Sequence, residues 1–181
     1  PFIWVANEAQ RKRGLKLVIS SVQRIPPQSV DPKVKNYHWL DFTRGLFGAY
    51  DRGGETTGLV DRDGNISEGP GFNIFAVRDG TITTPGEGTL AGITRLTVME
   101  LCEEAGLPCR GDTVGPNDVR GADEVFISST AGGIIPETEV DGAAIGNSRP
   151  GPITTQLRDR YWSKKEAGWY ATPVEYPHVP H

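Results

Sequence analysis

A chain of 181 residues with 36% hydrophobic and 23% charged residues has the balance of a globular protein able to bury one sizeable core. Its net charge of -4 argues against a nucleic-acid or anionic-membrane surface as the main partner, and no apolar run approaches the roughly 20 residues of a membrane span. Two cysteines, Cys102 and Cys109, are too few for a secreted disulfide scaffold, and with three scattered histidines they match no metal-ligand spacing, so a reducing, cytoplasmic compartment and no metal are expected.

The opening Pro1-Phe2-Ile3-Trp4 has neither an initiator methionine nor a signal peptide, which makes a fragment or a processed product the expectation. Leu15 to Val22 (LKLVISSV) is apolar and β-branched and predicts a mostly buried strand. Ile25-Pro26-Pro27 and Asp31-Pro32 mark a loop, after which Asn36 is a suitable helix N-cap. Trp39, Thr43, Leu46, Phe47 and Tyr50 recur at helical spacing, predicting a helix from about Tyr37 to Asp51 that Gly53-Gly54 ends. Short strands are expected at Thr57 to Val60, Phe72 to Val77 and Thr81 to Thr84, with turns at Asp61 to Asn65 and Arg78 to Gly80. A second helix runs from about Thr94 to Ala105, with Val98, Leu101, Cys102 and Ala105 on one face, and Gly106 stops it before Pro108. Val125 to Ser128 reads as a strand broken by Gly132-Gly133, and Asp141-Gly142 as a turn. Pro152 to Lys165 is the last helix, and the tail from Gly168, with Trp169 and Tyr170, is expected to lie extended on the surface. Strands and helices mix without regular βαβ alternation, so the fold class is α+β.

Four local patterns could carry chemistry. Lys35 precedes a helix, where a lysine is ordinarily a surface charge; a Schiff-base lysine needs a pocket that desolvates it, and Lys33 competes from two residues away. Glu68 sits in Ser67-Glu68-Gly69-Pro70-Gly71-Phe72-Asn73, a turn that either brings backbone close to a ligand or forms a plain hairpin corner. Leu90-Ala91-Gly92-Ile93-Thr94-Arg95 opens a helix whose free N–H groups suit a phosphate, Gly92 allowing close approach and Thr94 adding a hydroxyl. Ser128-Ser129-Thr130-Ala131-Gly132-Gly133 ends a strand with hydroxyls and mobile backbone, either a second anion clamp or a polar turn.

Taken in order, Lys-Asn before a helix, EGPGFN, Leu-x-Gly-Ile-Thr-Arg and Thr-Ala-Gly-Gly resemble the large domain of the fold-type IV, pyridoxal-phosphate-dependent aminotransferases. Within that family, Ser29 to Asp41 (SVDPKVKNYHWLD), Thr130 to Gly133 and the closing Thr172-Pro173-Val174-Glu175-Tyr176 are most similar to the (R)-selective amine transaminases, although His38 and Leu40 replace the Gln and Gly associated with that loop.

The resemblance implies a barrel-like mixed sheet with flanking helices over residues 15–181, with 1–14 as an interdomain linker and the small N-terminal domain not contained in the chain. It implies Lys35 as the catalytic, cofactor-carrying lysine, Glu68 at the pyridine nitrogen and Leu90 on the ring face. Gly92, Ile93, Thr94, Ser129 and Thr130 would surround the phosphate, and Trp39, Ala131 and Gly132 would border the substrate pocket. The implied partners are a small chiral amine, a keto acid such as pyruvate and a second copy of the chain. The alternatives are a branched-chain or D-amino acid aminotransferase, an aminodeoxychorismate-type lyase, or a cofactor-binding remnant.

Overall fold

The computed structural model describes residues 6–175. In chain order its elements are α1 (Glu8–Arg13), β1 (Leu15–Gln23), α2 (Leu40–Asp51), β2 (Thr56–Val60), β3 (Asn73–Arg78), β4 (Thr81–Pro85), α3 (Ile93–Ala105), β5 (Cys109–Asp112), α4 (Pro116–Arg120), β6 (Glu124–Ser129), β7 (Gly133–Val140), β8 (Ala143–Ala144) and α5 (Pro152–Glu166). No helix among the described residues is long and apolar enough to cross a membrane.

All eight strands form one mixed sheet in the order β2-β1-β7-β6-β3-β4-β5, with β8 beside β7. The mostly buried strand β1 lies between β2 and β7, parallel to both, while β7, β6, β3 and β4 follow one another antiparallel. The segment 66–68 links the two edges. Ser67 N–H donates to Leu59 O at 2.9 Å and Leu59 N–H to Glu68 O at 3.0 Å, while Ile66 N–H donates to Val114 O at 2.8 Å just past β5. The sheet therefore curls on itself, and Glu68 is carried at the seam.

Alternation along the strands makes two cores. Ile74 and Ala76 of β3 and Val125 and Ile127 of β6 pack inside the curl with Leu15, Leu17 and Ile135. Their neighbours Phe75, Val77 and Phe126 face outward onto Val98, Leu101 and Cys102 of α3 and Leu157 of α5. Phe75 and Phe126 are register partners whose rings stack at 4.7 Å. Each such side chain contributes about 1.5–3 kcal/mol by leaving water. The α5 start is fixed to β6 by Glu124, which accepts from Ile153 N–H at 3.0 Å and Thr154 N–H at 2.8 Å.

Several boundaries differ from the sequence reading. α2 begins at Leu40, not Tyr37, because Asn36 does not cap it. Asn36 instead closes its own turn, accepting from His38 N–H at 2.9 Å, and its carbonyl takes the Trp39 indole N–H at 3.1 Å. Gly133 opens β7 rather than merely breaking a strand. The sequence reading does not include α1, β5, α4, β7 or β8; α1 lies within the stretch expected to be linker, and its Asn7–Gln10 capping box explains it. The tail docks through Trp169, against the outer core, and through Tyr170, whose hydroxyl donates to Glu100 Oε1 at 2.6 Å. Pro1 to Val5 and Tyr176 lie outside the described residues.

Candidate active site

Five stretches of chain converge on one cavity of about 250 Å³. The loop after β1 supplies Val34, Lys35 and Asn36, and the entry to α2 supplies Trp39 and Phe42. The seam supplies Glu68, Gly69, Gly71, Phe72 and Asn73; the approach to α3 supplies Leu90 to Thr94; the end of β6 supplies Ser128, Ser129 and Thr130. Lys35, Trp39, Glu68, Leu90, Gly92, Ile93, Thr94, Ser129 and Thr130, singled out in the sequence, thus share one space, and Lys33 does not line it. Ala131 and Gly132 do not line it either. The Gly132 N–H turns back to Ser129 Oγ at 3.0 Å, and a β-carbon there would meet Ile135, so Gly132 faces the core, whereas Ala131 is exposed.

Glu68 is the most constrained of these groups. It is 6% exposed and accepts three hydrogen bonds, from Arg24 Nε at 3.2 Å, Thr89 Oγ1 at 3.1 Å and Leu90 N–H at 3.0 Å. The Leu90 bond fixes the approach to α3 relative to the carboxylate. Asn73 repeats the link, donating to Thr89 Oγ1 at 2.8 Å and to Leu90 O at 3.0 Å. Two glycines make this fit possible. A β-carbon on Gly92 would stand 2.4 Å from Asn73 Oδ1, and one on Gly69 would stand 2.1 Å from the Phe72 ring.

Arg24, Asp41, Asn73 and Thr89 are site residues that the sequence reading missed. Arg24 is 8% exposed, bonded to Asp41 Oδ2 at 2.6 Å, and its guanidinium stacks 4.1 Å from the Phe42 ring centroid. Asp41 also accepts from Ile25 N–H at 2.9 Å. Asp41 closes the Ser29 to Asp41 stretch, but its pairing with Arg24, 17 residues away, is not a local pattern. Asn73 and Thr89 are within reach of inspection, because Asn73 ends the Ser67 to Asn73 stretch and Thr89 directly precedes Leu90 to Arg95.

The remaining polar groups are open. Gly92 caps α3 without a side-chain bond, so the helix presents its first N–H groups to the cavity with Thr94 buried beside them. Ser128 Oγ is buried, lines the cavity and has no partner among the described residues. Lys35 is exposed and forms no ion pair among them. A primary amine, a rigid carboxylate and a helix N-terminus around one space suit a ligand with a carbonyl carbon, a basic ring nitrogen and an anionic end.

A family model described as "Amino-transferase class IV" matches residues 3–140. The branched-chain-amino-acid aminotransferase of Pseudomonas aeruginosa is 34% identical over 158 residues, covering 86% of this chain and 52% of that protein. The D-alanine aminotransferase of Bacillus licheniformis is 41% identical over 102 residues, covering 55% of this chain and 36% of that protein. The solved holo structure of the Thermobaculum terrenum branched-chain amino acid aminotransferase, in its pyridoxal-phosphate form, superposes with a TM-score of 0.84 at 30% identity, over 91% of this chain and 55% of that one. The chain spans about half the length of these relatives, or less.

Proposed function

The chain belongs to the class IV amino-transferases, and on that premise we propose that it forms the cofactor-holding part of a pyridoxal-phosphate-dependent aminotransferase. The carrying observation is that Lys35, the thrice-bonded Glu68 and the uncapped start of α3 line one cavity. Those residues fit the group. Glu68 can pair with the ring nitrogen, Leu90 can cover a ring face, and Ile93, Thr94, Ser129 and Thr130 can hold the phosphate. Pyridoxal phosphate, when bound, supplies an aldehyde that exchanges amino groups and a ring that withdraws electrons.

The protein's share is positional. Glu68 stays fixed, because its three donors prevent rotation, and its negative charge favours a protonated ring nitrogen. Lys35 Nζ would hold the cofactor at rest and, when free, would carry the proton removed from the substrate carbon. Trp39 and Phe72 shape an apolar wall that limits substrate size.

Relatives that act on branched-chain amino acids and D-alanine support an amino acid as donor. A second reading, an (R)-selective amine transaminase passing nitrogen to pyruvate, rests on Trp39 at the cavity wall behind Val34-Lys35-Asn36. Self-association belongs to the same proposal: Tyr37, just before α2, and Leu40, Phe47 and Tyr50 of α2 are 98%, 74%, 62% and 52% exposed.

Incubation with pyridoxal phosphate, borohydride reduction and peptide mapping test the reading. A pyridoxyl group on Lys35 that disappears in Lys35→Ala supports it. A label on Lys33, or spread over surface lysines, overturns it for this chain, and the same test on a form extended to the relatives' length then locates what is missing. Turnover of branched-chain L-amino acids, D-alanine and chiral amines by that form separates the donor classes.

A further inference from the structure

Two thiols that the proposed reaction does not use flank the turn from α3 into β5. Gly106 takes a left-handed φ of 67°, and Leu107 N–H returns to Cys102 O at 2.9 Å. The chain reverses at once, and Cys109, first residue of β5, packs on the cluster that contains the fully buried Cys102. Both cysteines are free, and both pack into the apolar cluster between α3 and β5. Cys109 is only partly buried and opens on a cleft lined by Leu96, Met99, Glu100, Glu103 and Leu107.

Arg95 completes the cluster. It is 8% exposed, donates from Nη2 to Pro85 O at 3.0 Å, and leaves a buried Nε with no partner among the described residues. Its side chain crosses β5, where a β-carbon on Gly111 would lie 3.2 Å from Nη2. A buried guanidinium without a carboxylate is costly, and the ionisable group acting on it is Cys109. Hydrogen bonding from Cys102 holds the Cys109 thiol below its usual range, Arg95 adds to this, and Cys102 is raised in turn.

We propose that Cys109 and Cys102 form a reversible dithiol–disulfide site that reacts with small-molecule disulfides. The Cys109 thiolate attacks one sulfur of the reagent, forming a mixed disulfide and expelling one small thiolate. The Cys102 thiol then attacks Cys109 Sγ, its proton passing to the second small thiolate as that thiolate is expelled. Two protein thiols are oxidised, one reagent disulfide is reduced to two thiols, and the product staples the end of α3 to β5.

The reduced protein is exposed to glutathione disulfide, quenched with acid and mapped by mass spectrometry. The wild type should yield a Cys102–Cys109 cross-linked peptide lighter by two hydrogens, reversed by dithiothreitol. Cys102→Ser should stop with one glutathionyl group on Cys109, and Cys109→Ser should leave Cys102 unmodified. Arg95→Met should slow the first step by about tenfold, as loss of a thiolate-stabilising cation predicts. A wild type that accumulates a stable glutathione adduct without the cross-link overturns the proposal, as does a Cys109 no faster than in the urea-unfolded chain. The cysteine variants decide the matter even if Arg95→Met does not fold.

Discussion

Arg24 donates through Nε to Glu68 Oε1 across 3.2 Å while its Nη1 holds Asp41 Oδ2 at 2.6 Å, so one guanidinium joins the seam of the sheet to the first turn of α2. Removing it strands two carboxylates. Arg24→Met should destabilise the protein by about 3–5 kcal/mol in urea titration. Asp41→Asn should cost less, and the double variant should fall well short of the sum of the two.

Glu68 is the proposed partner of the cofactor's ring nitrogen, and a charge-neutral variant tests that role. Glu68→Gln keeps the shape and removes the charge. It should weaken pyridoxal phosphate binding by roughly 10–100-fold, the equivalent of a charge-assisted hydrogen bond of ~1.5–3 kcal/mol. Absorbance titration of the bound cofactor measures it, and unchanged affinity would remove Glu68 from the proposed role.

Glu137 of β7 is 2% exposed, and neither carboxyl oxygen has a partner among the described residues. Desolvation, reinforced by Glu55 and opposed by Arg13, holds its pKa well above the usual carboxylate range. Folding therefore takes up a proton between the unfolded value, about 4.3, and the folded one. The stability it contributes is complete below the unfolded value and is lost as pH rises through the folded value. Glu137→Gln should flatten that slope and be more stable than wild type by ~1 kcal/mol or more in mildly alkaline buffer, as read from melting curves across pH.

Glu124 anchors α5 by accepting the N–H groups of Ile153 and Thr154. Glu124→Ala should cost about 1–3 kcal/mol by leaving buried donors unpaired. Gly151→Ala should also destabilise, because a β-carbon would stand 2.0 Å from the Glu124 carboxyl carbon. Urea midpoints report both.

Self-association through the outer face of α2 predicts a dimer or larger species in light scattering. Phe47→Asp should shift it toward monomer without lowering the melting temperature of the dissociated chain.

The strands legible in the sequence were those with apolar or β-branched runs. VFIS is buried throughout, and LKLVISSV is buried apart from Lys16, Ser21 and the half-buried Val22, so composition alone reveals them. β7 escaped because GIIPETEV carries a proline and two glutamates, yet Pro136 faces Phe126 in register and Glu137 is buried. β5 escaped because CRGD is a four-residue polar edge, held by pairing with β4 rather than by propensity. At the site, Lys35, Glu68 and Leu90 to Thr94 could be named since each lies in a short ordered pattern. Arg24 and Asp41 could not, because their pairing is created by the packing of α2 on the end of β1.

The position of β1 has a consequence for synthesis. Ile19 N–H donates to Asp141 Oδ1, 122 residues later, and Leu15 pairs with Glu137. A chain leaving the ribosome can zip β3 to β4 early, but the other edge of β1 stays unpaired until β7 has emerged. Throughout that interval LKLVIS is an exposed apolar edge, the kind of segment that chaperones bind and that aggregates in their absence.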